Sequence, residues 1–255
     1  MPQDRAGLPA QKSVVSETVF APARTGVRRA LRRGAAQTYR IIRTNEVDPK
    51  DDPVAKSAVR AFGARRAAGD TFQGTARKKA KISLSTASVE VFDDLKDLIE
   101  TLPSKTKMKK HKPKITKDAK SGRVAAEERN IKLTAFLYAA SREDDNDYHL
   151  IVGREPTLEP HMYMTIEVSG LPPGSAKSFA KLKAARTSYK AFFSGRLPDE
   201  TYDFYDPPIP VEITGSLFFD ISHATGQGVG PKSLRKDIPT VWEIHPISAI
   251  DFEPG

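Results

Sequence analysis

From Asn130 onward the apolar residues fall on alternate positions, and a period of two restricts this half of the chain to β-strands with distinct faces. Residues 131–140, 147–152 and 161–168 read as three successive strands. In the third, Met162, Met164, Ile166 and Val168 share one face, while His161, Tyr163, Thr165 and Glu167 share the other. The breaker Gly170-Leu171-Pro172-Pro173-Gly174 then separates a helix over 176–193, with Phe179, Leu182, Ala185, Tyr189 and Phe192 on its buried side. After a Pro- and aromatic-rich loop, two more strands follow at 211–222 and 240–252, joined by the Gly-rich stretch 223–239. Val211, Ile213, Leu217, Phe219 and Ile221 face inward in the first of these.

Three strands, a helix and two strands is the element order of the OB-fold, a small barrel whose loops bind oligonucleotides or sugars. The fold predicted for 124–255 is therefore β-rich α+β, an OB-like five-stranded barrel with one inserted helix. A jelly roll needs about eight strands, which the pattern does not supply.

Charge divides the chain. Residues 1–123 carry 28 Lys and Arg against 13 Asp and Glu, a net +15, whereas 124–255 carry 13 against 19, a net −6. A basic arm joined to a mildly acidic domain is the pattern of a tail that meets a polyanion, or of a solvated tail. Within the arm, 1–25 reads as a disordered lead and 26–102 as a basic helical region. Val27, Leu31, Ala35, Tyr39 and Ile42 suggest a helix over 25–44 that carries Arg28, Arg29, Arg32 and Arg33, and a second, Ala-rich helix fits 53–68. A third is expected over 88–102, capped by Ser88, with Phe92, Leu95, Leu98, Ile99 and Leu102 forming an apolar face that docks on the domain or on a protein partner. The Lys-rich stretch 103–123 reads as an extended linker. Nucleic-acid contacts are expected from these arginines and from Lys78, Lys79, Lys109, Lys110, Lys232, Arg235 and Lys236, with Tyr202, Phe204 and Tyr205 available either to stack bases or to cover the barrel end.

The chain has no cysteine, which excludes a disulfide framework and a thiolate metal site. It has no run of ~20 apolar residues and no signal-peptide core, so it reads as a soluble cytoplasmic protein without membrane contact. Behind the loop 225–232 no helix with Lys-Ser or Lys-Thr opens in the register a P-loop requires.

Three segments pair a histidine with carboxylates: Asp145-Asn146-Asp147-Tyr148-His149, Asp220-Ile221-Ser222-His223 and Glu243-Ile244-His245. Alternation puts Asp147 with His149 on one face, Glu167 on the polar face of the third strand, and Glu243 with His245 on one face of the last. No cofactor is firmly implied by spacing. If the faces converge, His149, Glu167, Asp220, Glu243 and His245 suit a divalent metal such as Zn²⁺ or Mn²⁺; otherwise the same groups hydrogen-bond across strands and pin the register.

These segments resemble a group of largely uncharacterised bacterial proteins with an Asp-x-Asp-x-His strand, a Gly-x-x-Phe-Phe-Asp strand and a closing Glu-x-His-Pro strand. The resemblance spans about residues 130–252. It implies a family and no activity. The element order is also similar to the staphylococcal-nuclease version of the OB-fold, which implies Asp145-Asn146-Asp147 as a calcium-binding run, with Glu167 loosely for the next carboxylate and no matching arginine. The leading expectation is a nucleic-acid-associated binding protein. The alternatives are a metal-dependent hydrolase of the phosphoesterase type and a structural or assembly protein.

Overall fold

The computed structural model describes residues 14–22, 37–49, 69–226 and 228–254. Eight strands form one sheet: β1 (Val14–Phe20), β2 (Tyr39–Thr44), β3 (Val89–Phe92), β4 (Asn130–Arg142), β5 (Tyr148–Gly153), β6 (Tyr163–Val168), β7 (Asp203–Phe219) and β8 (Trp242–Phe252). Four α-helices accompany them: α1 (Lys78–Lys81), α2 (Leu95–Glu100), α3 (Lys105–Lys109) and α4 (Phe179–Phe193). The protein is thus β-rich α+β. No helix among the described residues is long and apolar enough to cross a membrane.

Five strands are paired in a closed circuit. β4 pairs β5, β5 pairs β6, β6 pairs β8 in parallel, β8 pairs β7, and β7 returns to β4. Alternation then decides what each face meets. Tyr148, Leu150 and Val152 of β5, Met164, Ile166 and Val168 of β6, and Trp242 and Ile244 of β8 all enter the main core. Helix α4 adds Ala185, Tyr189, Phe192 and Phe193 to that core, with Phe192 stacked on Phe252 at 4.0 Å between centroids. The opposite face of the same strands carries His149, Glu167, Glu243 and His245. It too is buried, because other parts of the chain cover it. Tyr202 donates its backbone N–H to Glu46 O at 2.9 Å, and Gln73 donates to Asp145 O at 2.8 Å, which lays residues 46–48 and 70–82 over this face.

The N-terminal half departs most from the sequence reading. Residues 14–20, expected in a disordered lead, form β1, and 39–44, expected at the end of a basic helix, form β2, which pairs with β1 and with residues 203–206 of β7. Tyr39 and Ile41 are buried and Arg40 and Arg43 are not, so six residues satisfied both a helical and an alternating pattern and the sheet edge selected the latter. Arg28, Arg29, Arg32, Arg33 and the proposed helix over 53–68 lie outside the described residues.

The single helix expected at 88–102 is replaced by an edge strand, β3, followed by α2. Asp94, rather than Ser88, is the N-cap, accepting from Lys96 N at 2.8 Å. Leu95 and Leu98 are fully buried in this chain's own core, so the apolar face already has its partner. The stretch 103–123, expected as an extended linker, contains α3 and contributes Met108 and Ile115 to the main core. β7 begins at Asp203 rather than 211. Its Pro207, Pro208 and Pro210 hid the strand because a proline cannot donate to a ladder. Tyr202, Phe204 and Tyr205 are fully buried, which removes base stacking as their role and leaves the covering one.

Candidate functional site

Three of the five histidines are buried together on the outer face of β5, β6 and β8. His149 Nδ1 lies 2.9 Å from Glu143 Oε1 and 3.2 Å from Glu167 Oε1. His245 Nδ1 lies 2.5 Å from Glu167 Oε2 and 3.6 Å from Glu243 Oε2, and its Nε2 lies 3.4 Å from Asp147 Oδ2. His223 Nδ1 lies 2.9 Å from Asp220 Oδ2 and 3.6 Å from Glu243 Oε1. All five of the metal-ligand candidates read from the sequence, His149, Glu167, Asp220, Glu243 and His245, therefore meet in one place. The cross-strand register explains it: His149 stands opposite Glu167, and Thr165 opposite Glu243.

Other residues complete the cluster. His223 follows Asp220 on the first turn after β7, and Glu143 and Asp147 flank the β4–β5 turn. Asp48 reaches in from the N-terminal half, with Oδ1 3.2 Å from His223 Nε2 and Oδ2 4.0 Å from His149 Nε2. Lys81 places its Nζ 3.3 Å from Asp145, 3.7 Å from Glu167 and 4.0 Å from Asp147. Asp48, Glu143 and Lys81 were not singled out from the sequence. Only Glu143 had a signal there, as the first residue of the acidic turn Glu143-Asp144-Asp145.

No family model, curated protein or solved structure matches this chain.

Charge is the dominant physical fact of the cluster. Seven carboxylates, those of Asp48, Glu143, Asp145, Asp147, Glu167, Asp220 and Glu243, face three imidazoles and one ammonium. Full protonation of the imidazoles still leaves an excess of three negative charges, and buried charge without compensation is costly. Titration reflects the crowding. Burial opposes a charged His149, but Glu143 and Glu167 outweigh it and take its pKa up to about 10. Burial likewise opposes a charged His245, and Glu167 and Glu243 raise it to about 9. Burial, with Asp145 next to it, holds Asp147 well above the usual carboxylate range. Burial pushes Glu167 the same way, yet His245, Lys81 and His149 prevail and hold it well below that range.

The angles are as telling as the distances. Both oxygens of Glu167 and of Glu243, and both ring nitrogens of His149 and of His245, are buried without a hydrogen bond of acceptable angle. These atoms nevertheless sit 2.5–3.6 Å from one another as close histidine–carboxylate pairs. Three sets of ligand atoms lie within 4.8 Å of one another: Glu143, His149 and Glu167; Asp147, Glu167 and His245; Asp220, His223 and Glu243. Imidazole with carboxylate oxygen is the donor set of Zn²⁺ and Mn²⁺.

A cavity of about 200 Å³ adjoins the cluster, lined by Arg77, Lys81, Asp145, Phe218 and Asp220 among others. Arg77 is committed elsewhere, since its guanidinium holds Glu127 through contacts of 2.6 and 2.8 Å and also donates to Phe219 O and Gly122 O. Lys81 is the cation that the cavity shares with the cluster. Nearby, Lys79 donates its backbone N–H to Ala119 O at 2.9 Å and Arg77 to Lys117 O at 3.4 Å, which ties the 117–119 backbone to the segment carrying Lys81. Of the other expected nucleic-acid contacts, Lys79, Lys109, Lys110, Lys232 and Lys236 are exposed and Lys78 is half-buried. Arg235 is held by Gly230 O at 2.8 and 3.1 Å.

Proposed function

We propose that residues 130–252 form an OB-like barrel whose outer face holds divalent metal and hydrolyses phosphate esters of a polyanionic substrate. Support for the barrel comes from the closed circuit of pairings, in which the parallel β6–β8 pair and the position of α4 between β6 and β7 follow the OB order. In such folds the second and third strands, with the loops after the first and fourth, form the ligand face. Here those parts carry Glu143, Asp147, His149, Glu167, Asp220 and His223.

The observation that carries the reading is the buried excess of carboxylate with unaimed lone pairs, a charge state that calls for cations. Bound metal would supply a water of lowered pKa and polarisation of a phosphoryl oxygen. The chain's own contributions are separate. Lys81 would meet the phosphoryl group at the cavity wall, and the exposed lysines of 105–120 would hold neighbouring phosphates of a long substrate.

The test is hydrolysis of bis(4-nitrophenyl) phosphate and of labelled single-stranded oligonucleotides with Mn²⁺ or Zn²⁺. Cleavage that chelation abolishes and that Glu243→Gln lowers about 100-fold or more is expected. Absence of cleavage with either metal overturns the hydrolase.

One observation favours a second reading, nucleic-acid binding without chemistry: every lysine from Lys105 to Lys120 is exposed, with Asp118 the single acid in that stretch. Affinity for DNA or RNA that falls steeply with salt, in a protein that cleaves nothing, is the result this reading expects.

A further inference from the structure

The arrangement of ring nitrogens separates the cluster into distinct sites. His149 and His223 repeat one pattern. Each directs Nδ1 at two carboxylates, Glu143 and Glu167 for the first and Asp220 and Glu243 for the second, and each turns Nε2 towards the same carboxylate, Asp48. A metal-ligating histidine commonly donates its other N–H to a carboxylate, which fixes the tautomer and aims the ligating nitrogen. Asp48 is itself fixed by the backbone N–H of Gly230, 2.8 Å from Oδ2, at a residue with φ +83°.

The two sets share no residue, and their imidazole centroids are 6.4 Å apart at 81°. With both Nε2 atoms turned towards Asp48, the two Nδ1 atoms point away from each other, so one ion with bonds of about 2 Å does not serve both. The third set, Asp147, Glu167 and His245, already has a cation in place, because Lys81 Nζ lies 4.0 Å from Asp147 and 3.7 Å from Glu167. Position relative to the cavity also differs. Asp220 lines the 200 Å³ cavity, with His223 and Glu243 behind it, whereas no member of the Glu143, His149 and Glu167 set touches it. Glu243 gives its carboxylate to one set, whereas Glu167 gives one oxygen towards His149 and the other towards His245.

We propose that the cluster is a two-ion centre: Asp220, His223 and Glu243 hold an exchangeable ion beside the cavity, and Glu143, His149 and Glu167 hold an enclosed ion, with Asp48 positioning the His223 imidazole, 3.2 Å away, and standing 4.0 Å from His149. This rests on the metal-dependent reading above and adds its stoichiometry and the unequal roles of the two ions. Each set supplies one imidazole and two carboxylates, three protein ligands that leave a position open. The set that includes Asp220 adjoins the cavity and so would exchange its ion; the other set does not.

The experiment is metal counting on the full chain after dialysis against Mn²⁺ or Zn²⁺, before and after brief chelation. The wild type is expected to carry two equivalents and to keep one after chelation. Glu143→Gln should carry one equivalent that chelation removes, and Asp220→Asn one that it does not. Asp48→Asn should weaken retention of the exchangeable ion, by about 10- to 100-fold, and of the enclosed ion far less. One equivalent or none in the wild type, or loss of the same ion by Glu143→Gln and Asp220→Asn, overturns the proposal. Should a variant fail to fold, paramagnetic resonance of the Mn²⁺-loaded wild type decides: a spin-coupled pair supports two neighbouring ions, and an isolated-ion spectrum at full loading overturns them. The two readings fail separately. One equivalent with metal-dependent cleavage removes the second ion and leaves the hydrolase, while two equivalents without cleavage remove the hydrolase and leave the centre.

Discussion

Asp203, at the start of β7, is 2 % exposed, and its Oδ2 has no hydrogen bond. Burial takes its pKa up to about 6 against the pull of Arg43, whose Nε is 3.4 Å away. A carboxyl with a higher pKa folded than unfolded gives stability that is fully present below about pH 4 and lost as pH rises through 6. Asp203→Asn should therefore raise the Tm by a few degrees at pH 8 and hardly at pH 4, as thermal unfolding at both pH values would measure; equal shifts would contradict the assignment. Arg77 poses the reverse problem. It and Glu127 are a buried, forked pair, at most 1 % exposed, so Arg77→Met leaves an uncompensated carboxylate and should cost about 3–5 kcal/mol in urea unfolding. Adding Glu127→Gln should recover part of that loss. At this scale the histidines and their strand carboxylates were legible, because a period of two fixes which residues share a face. Asp48 and Lys81 were not. They enter the cluster from segments whose only link to it is tertiary contact, and an isolated acid or lysine in a charged stretch has no pattern to distinguish it.

Among the elements, β7 and β8 set the geometry of the cluster through one glycine. A Cβ on Gly215 would meet Ile244 Cγ2 at 2.6 Å and Pro246 O at 2.7 Å, so the close approach of β8 where its register shifts, between Ile244 and Ile247, depends on that residue. Gly215→Ala should cost about 1–3 kcal/mol and also loosen metal retention, measured by urea unfolding and metal counting on the same preparation. A stability loss with unchanged retention would show that the strand can shift without moving the ligands. Apart from the start of β7, eight residues earlier than the alternation placed it, the strands of the circuit were readable to within a few residues from alternation alone. The edge elements were misread for physical reasons. The pattern of 88–102 merges a strand with Val89 and Val91 exposed, 50 % and 64 %, into the helix that Asp94 starts. In 103–123 the lysines masked Met108 and Ile115, two apolar residues that suffice to anchor the segment while every lysine stays in water.

For the molecule as a whole, the basic half is a working part of the fold. It extends the sheet through β1, β2 and β3, covers the polar face, and delivers Asp48 and Lys81 to a cluster otherwise built from residues 143–245. That cover makes the carboxylate excess a matter of stability as well as of chemistry. A cation that binds only the folded chain stabilises it by mass action, about 2.7 kcal/mol at a hundredfold excess over Kd, or roughly 5–10 °C in Tm for a chain of this size. The direct measurement is the thermal unfolding of chelator-stripped protein titrated with Mn²⁺ or Zn²⁺. The account predicts a Tm that climbs with the logarithm of metal concentration, and far less in Glu243→Gln. A Tm indifferent to both metals in the wild type would contradict it.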